Sequence, residues 1–95
     1  MQFTKRLREP IRNGEITQSV RIWKSPRVKA GNAYRLAPGW IVVESIYQIE
    51  FADITARLAR ETGFSSLAEL LKTARHGAGE KVYLVTFHYT EALEE

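Results

Sequence analysis

The sequence predicts an α+β fold in which short strands form a small, partly closed β-barrel flanked by helices. Three observations predict it. The 95 residues suffice for one hydrophobic core, several segments alternate between apolar and polar side chains as strands do, and glycines follow short segments that carry helix signals. Periodicity alone leaves an open α+β sheet as the alternative to a barrel.

The first predicted elements lie before Gly14. Residues 3–5 can begin a short strand. Pro10 suits the first position of a helix, where its missing N–H costs no hydrogen bond, and Gly14 suits the position just after the end. These two residues therefore predict a short helix over residues 9–13.

Three strands are predicted in the middle of the chain. Residues 18–23 alternate between apolar and polar side chains. A short strand over residues 33–36 follows a Gly-Asn turn, and a strand over residues 40–51 follows a Pro-Gly turn. The last of these is longer than most strands, so we expect a bulge or bend near Ser45.

Two helices are predicted after the long strand. Asp53 can cap a helix that ends at Gly63. Ser66 and Glu69 have the spacing of a capping box, and they predict a second helix that ends near Gly77. The apolar stripe of this second helix has helical spacing and consists of Leu67, Leu70, Leu71 and Ala74.

A final strand is predicted over residues 81–88, which gives the order β-α-β-β-β-α-α-β. Aromatic side chains at strand spacing occur in this strand and in the long strand before it, and we expect them to lie in the core. They are Tyr47, Phe51, Tyr83 and Phe87.

Charge is distributed unevenly along the chain. Residues 1–35, the basic half, contain nine Lys and Arg against two Glu, a net charge of +7. Residues 36–95 contain five Lys and Arg against nine Asp and Glu, a net charge of −4. This separation indicates a basic face for a polyanion such as RNA, and the alternative is a solvated surface on which the charges happen to segregate.

Several classes of site and location are not expected. The chain has no cysteine, which excludes disulfides, thiolate metal sites and a cysteine nucleophile. His76 and His88 lie on different predicted elements, and we expect no metal site and no cofactor. No apolar run approaches the length of a membrane span, and the basic start lacks the apolar run of a signal peptide, so we expect a cytoplasmic protein.

One segment carries a specific resemblance. The segment over residues 14–21 reads Gly-Glu-Ile-Thr-Gln-Ser-Val-Arg. It resembles the signature of the ASCH family, which belongs to the PUA-like superfamily. That signature has a glycine, a lysine two positions later, an acidic or hydroxyl residue three positions after the lysine, and an arginine two positions after that. Gly14, Thr17, Ser19 and Arg21 match, and Ile16 stands at the lysine position. Four further segments resemble segments of the family in the same order along the chain, and they are residues 28–32, residues 61–64, residues 67–70 and residues 82–87.

The resemblance implies a single ASCH domain over residues 1–95, a PUA-like barrel with a cleft, and a role in RNA or nucleotide biology. One group of small family members hydrolyses N4-acetylcytidine with the motif lysine, the hydroxyl residue and a glutamate. Glu61 lies near the place of that glutamate. Because isoleucine can neither take a proton nor supply charge, Ile16 leaves it uncertain whether the chain is an enzyme.

Two functions remain open from the sequence. The first is a non-catalytic RNA- or nucleotide-binding module, in which Arg21 binds phosphate and Trp23 stacks on a base. The second is a small amidohydrolase that uses Ser19 and Glu61 on a modified nucleoside. The structural alternatives are a polar strand residue for Ser19, an ion pair with Glu61 for Arg21, and core packing for Trp23. The residues predicted to bind RNA or nucleotide are Lys5, Arg6, Ser19, Arg21, Trp23 and Lys24.

Overall fold

The computed structural model describes residues 1–74 and 79–93. Its elements form an α+β fold with one curled, half-barrel sheet of four antiparallel strands in the order β1-β4-β3-β2. The predicted α+β class with a barrel-like sheet is confirmed. The elements are α1 (Lys5–Arg12), β1 (Gln18–Trp23), β2 (Ala33–Leu36), β3 (Gly39–Ile49), a 3-10 turn (Phe51–Asp53), α2 (Ala56–Glu61), α3 (Leu67–Ala74) and β4 (Lys81–Thr90).

The beginning of the chain differs from its prediction. No strand forms over residues 3–5, and α1 begins at Lys5 instead of residue 9, with Pro10 inside the helix. The reason is the apolar pair Leu7 and Ile11, which lie four positions apart on one helix face and are both buried. Their burial outweighs the backbone hydrogen bond that Pro10 cannot donate.

The predicted irregularity in β3 is present and changes which side chains lie inside. The pairing with β4 shifts register between Val43 and Ser45, and the extra residue, Glu44, forms a bulge. Because a shift of one residue exchanges the two faces of a strand, Tyr47 turns outward and is 63% exposed. Phe51, beyond the end of β3, is 55% exposed. The core prediction is therefore wrong for these two residues, whereas Tyr83 and Phe87 are buried as predicted.

The helix caps agree only in part with prediction. Asp53 does not cap α2, because it lies in the 3-10 turn and accepts a hydrogen bond from the Glu50 N–H at 2.8 Å. Thr55 caps α2 instead and accepts from the Leu58 N–H at 3.1 Å. Gly63 ends the turn after α2 with a φ of +99°, a conformation that favours glycine.

The start of α3 also follows only half of the capping-box pattern. Ser66 accepts a hydrogen bond from the Glu69 N–H at 3.1 Å. The Glu69 carboxylate does not return to the Ser66 N–H, as a full capping box requires, and accepts instead from the Ser65 hydroxyl at 2.7 Å. The predicted end of this helix near Gly77, and His76, lie outside the described residues.

The helices cover the curled sheet and position its inner side chains. β4 lies between β1 and β3, and its residues Val85 and Phe87 are fully buried. α1 packs against β4, and α3 packs against β1. Within the described residues, no helix is both long enough and apolar enough to cross a membrane. β1 therefore lies close to α3, and its residue Arg21 reaches the N-terminal segment at the Gln2 carbonyl.

Candidate functional site

A pocket of about 230 Å³ lies where the N-terminal segment, α1 and α3 meet β1. We call it the Arg21 pocket. Its polar lining is rich in hydroxyl and amide groups, and its apolar lining comes from α1, α3 and β1 and from the connecting segments that contain Phe3, Ile16 and Phe64. It is lined by Gln2, Phe3, Thr4, Leu7, Ile16, Gln18, Ser19, Val20, Arg21, Thr62, Phe64, Thr73 and Ala74.

β1 brings Ser19 and Arg21 to this pocket together. They lie two positions apart on one strand, so their side chains point to the same face. Their partners on β4 are Val85 and Tyr83, both buried. The exposed fraction is 9% for Ser19 and 8% for Arg21. The serine and arginine that were predicted from the motif thus share one buried wall.

Arg21 is held by three contacts. Its Nε donates a hydrogen bond to the Ser19 Oγ at 2.8 Å, and its Nη2 donates to the backbone carbonyl of Gln2 at 2.6 Å. The guanidinium also lies over the Phe3 ring, 4.9 Å from the ring centroid. These contacts fix the orientation of the guanidinium and leave its Nη1 without a hydrogen-bond partner among the described residues.

The charge of Arg21 has no carboxylate partner among residues 1–74 and 79–93. The ion pair with Glu61, which was the structural alternative for Arg21, does not form, and Glu61 pairs instead with Arg57 at 3.1 Å on the exposed side of α2. Removal from water disfavours the charged form, so burial lowers the pKa of Arg21 to about 10. Arg21 is still protonated at neutral pH, and the site holds a buried, unneutralised positive charge.

Arg6 and Lys5 lie on α1 in different surroundings. The Arg6 Nη1 donates to the carbonyl of Gly63 at 2.8 Å, and its Nη2 forms an ion pair with Glu69. Its guanidinium lies over the Phe64 ring at 5.4 Å from the centroid. Lys5 is exposed to solvent. Arg6 therefore joins α1 to α3 through Glu69, and neither residue lines the Arg21 pocket.

The two remaining residues of the predicted binding face separate at the end of β1. Trp23 is 3% exposed and packs against Tyr83, with ring centroids 5.9 Å apart. Lys24 is exposed. The Trp23 ring thus belongs to the core cluster, and a base has no free face of this indole to stack on in the described structure.

The groups of the hydrolase hypothesis are also located. Ser19 accepts its hydrogen bond from Arg21, which cannot take a proton from the hydroxyl. Ile16, at the motif lysine position, is buried and lines the pocket with its apolar side chain. Glu61 is not among the lining residues. The structure brings Ser19 and Arg21 together and leaves Glu61 on the surface.

The sequence did not indicate the apolar and backbone parts of the pocket. Phe3 and Phe64 line it, and Gln2 contributes its backbone carbonyl to Arg21. A carbonyl is present at every residue, so no residue type could have identified Gln2. Phe64 follows Gly63 within a segment that resembles the family, and that position was the available signal.

Comparison of the chain with protein-family models, with curated proteins and with solved structures finds no match. Within residues 1–74 and 79–93, no three His, Cys, Asp or Glu side chains come together as possible metal ligands.

Proposed function

We propose that this chain is an RNA- or nucleotide-binding module of the ASCH type in the PUA-like superfamily, with the Arg21 pocket as its ligand site. The ordered resemblance across residues 14–87 supports the family, and the curled antiparallel sheet with flanking helices agrees with the coarse architecture that the family implies. The basic half supplies a field that attracts a polyanion.

The observation that carries this proposal is the buried guanidinium of Arg21, which has no carboxylate partner in the part of the chain that the structure describes. A buried charge is costly unless it is paired, and most proteins pair it within the fold. Here the hydrogen bonds to Ser19 and Gln2 orient the guanidinium but leave its charge unneutralised. An anionic ligand group would neutralise that charge, and phosphate suits the planar donor geometry of arginine.

The size and lining of the Arg21 pocket suit one part of a nucleotide. Its volume of about 230 Å³ is below the ~300–1,000 Å³ typical of sites for drug-sized ligands. Phe3 and Phe64 supply aromatic surface beside Gln18 and Ser19, which supply hydrogen-bonding groups. We infer that a single phosphate or base enters the pocket and that the remainder of the ligand lies over the basic surface.

Binding is favoured over hydrolysis by the contacts of Ser19. A serine nucleophile needs a neighbouring base, and the described partner of its hydroxyl is a donor. The position where the family places an ammonium holds the buried side chain of Ile16. We therefore propose that Ser19 positions Arg21 and contacts the ligand.

The test is a titration at low salt with cytidine 5′-monophosphate and with a cytidine-containing single-stranded RNA octamer, monitored by calorimetry. Arg21→Met should weaken binding about 10- to 100-fold, since a hydrogen bond to a charged group contributes ~1.5–3 kcal/mol. Arg6→Met is the matched control, because it removes the same group from the ion pair with Glu69, and it should retain most of the affinity.

Two results would contradict the proposal. One is the absence of binding of either ligand by the unaltered protein at low salt. The other is turnover of N4-acetylcytidine that is abolished by Ser19→Ala, which would establish the hydrolase instead.

A further inference from the structure

A second cavity lies on the other side of the N-terminal segment. Its volume is about 380 Å³, and two arginines, Arg8 from α1 and Arg35 from β2, face it. We call it the Arg8–Arg35 pocket. None of its described lining residues is acidic, and they are Met1, Gln2, Phe3, Arg8, Arg35, Leu36 and Ala37.

Arg8 and Arg35 are not neutralised within the described residues. Both are exposed, and neither forms a hydrogen bond or an ion pair there through its side chain. Arg35 lies over the Trp40 ring, 5.0 Å from the centroid, which restricts the guanidinium without neutralising it. Two like charges that line one cavity repel each other, and an anion between them would reverse that repulsion.

A third arginine of the basic half, Arg12, differs from Arg8 and Arg35 because its guanidinium has partners within the fold. Arg12 lies one turn after Arg8 on α1, and its Nε donates to the carbonyl of Ala37 at 3.0 Å. Its Nη1 lies 3.9 Å from a Glu9 carboxylate oxygen. Arg12 therefore has a structural role at the edge of the Arg8–Arg35 pocket, whereas the guanidinium groups of Arg8 and Arg35 remain available to a ligand.

The two pockets are adjacent. Gln2 and Phe3 line both of them. The carbonyl of Gln2 accepts from Arg21, and the Phe3 ring lies under the same guanidinium. The N-terminal segment is thus the wall between one buried cation and two exposed ones, and a ligand that follows this wall meets positive charge on both sides.

We propose that the Arg8–Arg35 pocket binds a backbone phosphate of a single-stranded RNA whose neighbouring nucleotide enters the Arg21 pocket. This inference rests on the proposed function and narrows its ligand from any nucleotide to an RNA strand. Arginine binds phosphate through two parallel N–H···O bonds, so two guanidinium groups can hold one phosphodiester from both sides. A mononucleotide would occupy the Arg21 pocket alone.

The experiment compares cytidine 5′-monophosphate with the single-stranded RNA octamer on the double variant Arg8→Gln/Arg35→Gln. Octamer affinity should fall about 10-fold or more, while mononucleotide affinity should change less than about two-fold. The slope of log affinity against log salt should decrease by about 0.7, the value for one phosphate contact to a single strand.

The matched control is Arg27→Gln/Lys29→Gln. These two exposed residues belong to the basic half, lie outside both pockets, and carry the same charge. The control should lower octamer affinity less than about three-fold, because diffuse charge alone contributes weakly.

The outcomes separate this inference from the proposed function. Equal losses of octamer affinity in the two double variants would overturn the inference, and so would octamer affinity no greater than that of the mononucleotide. In either case, mononucleotide binding that depends on Arg21 would still support the proposed function. Competition by inorganic polyphosphate as strong as that by RNA would overturn the assignment to an RNA strand. Octamer binding that needs Arg8 and Arg35 but not Arg21 would contradict both.

Discussion

Arg6 and Arg21 have closely similar contacts and opposite electrostatic situations. Each donates to a backbone carbonyl, Gly63 for Arg6 and Gln2 for Arg21, and each lies over a phenylalanine ring. Arg6 also reaches the carboxylate of Glu69 at a solvated surface. In place of a carboxylate, Arg21 has the hydroxyl of Ser19 as its third contact, and Arg21 is buried.

This difference shows where the fold leaves a positive charge without a counterion. An exposed guanidinium is solvated by water, so an ion pair with a carboxylate stabilises it little. A buried guanidinium has lost its water, so a counterion stabilises it most, and the described residues provide none. Of these two arginines, the exposed one is thus paired with a carboxylate, and the buried one has none among the described residues. A buried cation left without a counterion beside a pocket is the arrangement expected of a site for an anionic ligand.

The largest expected effect tests the Arg6 side of this comparison. Gly63 supplies the carbonyl for Arg6 and has a φ of +99°. A Cβ at this position would lie 2.7 Å from the Ile16 Cδ1, and it would also contact Leu7. Gly63→Ala should lower the free energy of unfolding by roughly 2–4 kcal/mol, from backbone strain together with overpacking.

Urea unfolding followed by circular dichroism measures this effect. Gly14→Ala is the control, since Gly14 also has a positive φ but no atom within 4 Å of its added Cβ. Equal losses of unfolding free energy in the two variants would show that backbone strain alone destabilises Gly63→Ala and that the added Cβ does not overpack the pocket wall.

The next effect compares the two arginines directly in the free protein. Arg21→Met should leave the free energy of unfolding within about 1 kcal/mol of its original value, because relief of the buried charge offsets the lost hydrogen bonds. Arg6→Met should lower it by about 1 kcal/mol, since an ion pair and a hydrogen bond are lost without relief. A loss of more than ~2 kcal/mol in Arg21→Met would mark Arg21 as a structural residue.

The smallest effect concerns pH. The lowered pKa of Arg21, about 10, means that the guanidinium is charged below that pH and loses its proton above it. Mononucleotide affinity that depends on Arg21 should therefore be constant from about pH 7 to 9 and fall about two-fold by pH 10, where half of the free sites are neutral. Calorimetry at constant ionic strength measures this, and affinity that rises across the interval would contradict it.

The elements that could be predicted from the sequence are those with local signals. The alternation over residues 18–23 predicts β1 with its observed bounds, and Gly63 marks the end of a helical segment. The unusual length of β3 predicts its bulge, although the strand ends at Ile49, two residues before its predicted end. The start of α1 was predicted four residues late because the Pro10 signal competes with the burial of Leu7 and Ile11, which only tertiary contacts reveal.

The aromatic residues show how one local feature propagates. A bulge was expected near Ser45, yet Tyr47 and Phe51 were assigned to the core by uninterrupted alternation. Each bulge residue reverses the facing of all later positions in the strand. The exposure of Tyr47 follows from that reversal, and Phe51 leaves the strand before alternation could apply to it.

The sequence by itself determined the segregation of positive charge, the motif that contains Ser19 and Arg21, and the strand spacing that puts both on one face. Only the tertiary structure decided which cations find a carboxylate. Arg6 and Glu69 are far apart in the chain and meet because α1 packs against β4 and α3 packs against β1, the strand beside it in the sheet. Arg21 meets the Gln2 carbonyl and, within residues 1–74 and 79–93, no acidic side chain. Charge is a property of residue type, whereas neutralisation depends on distance, and distance is set by packing.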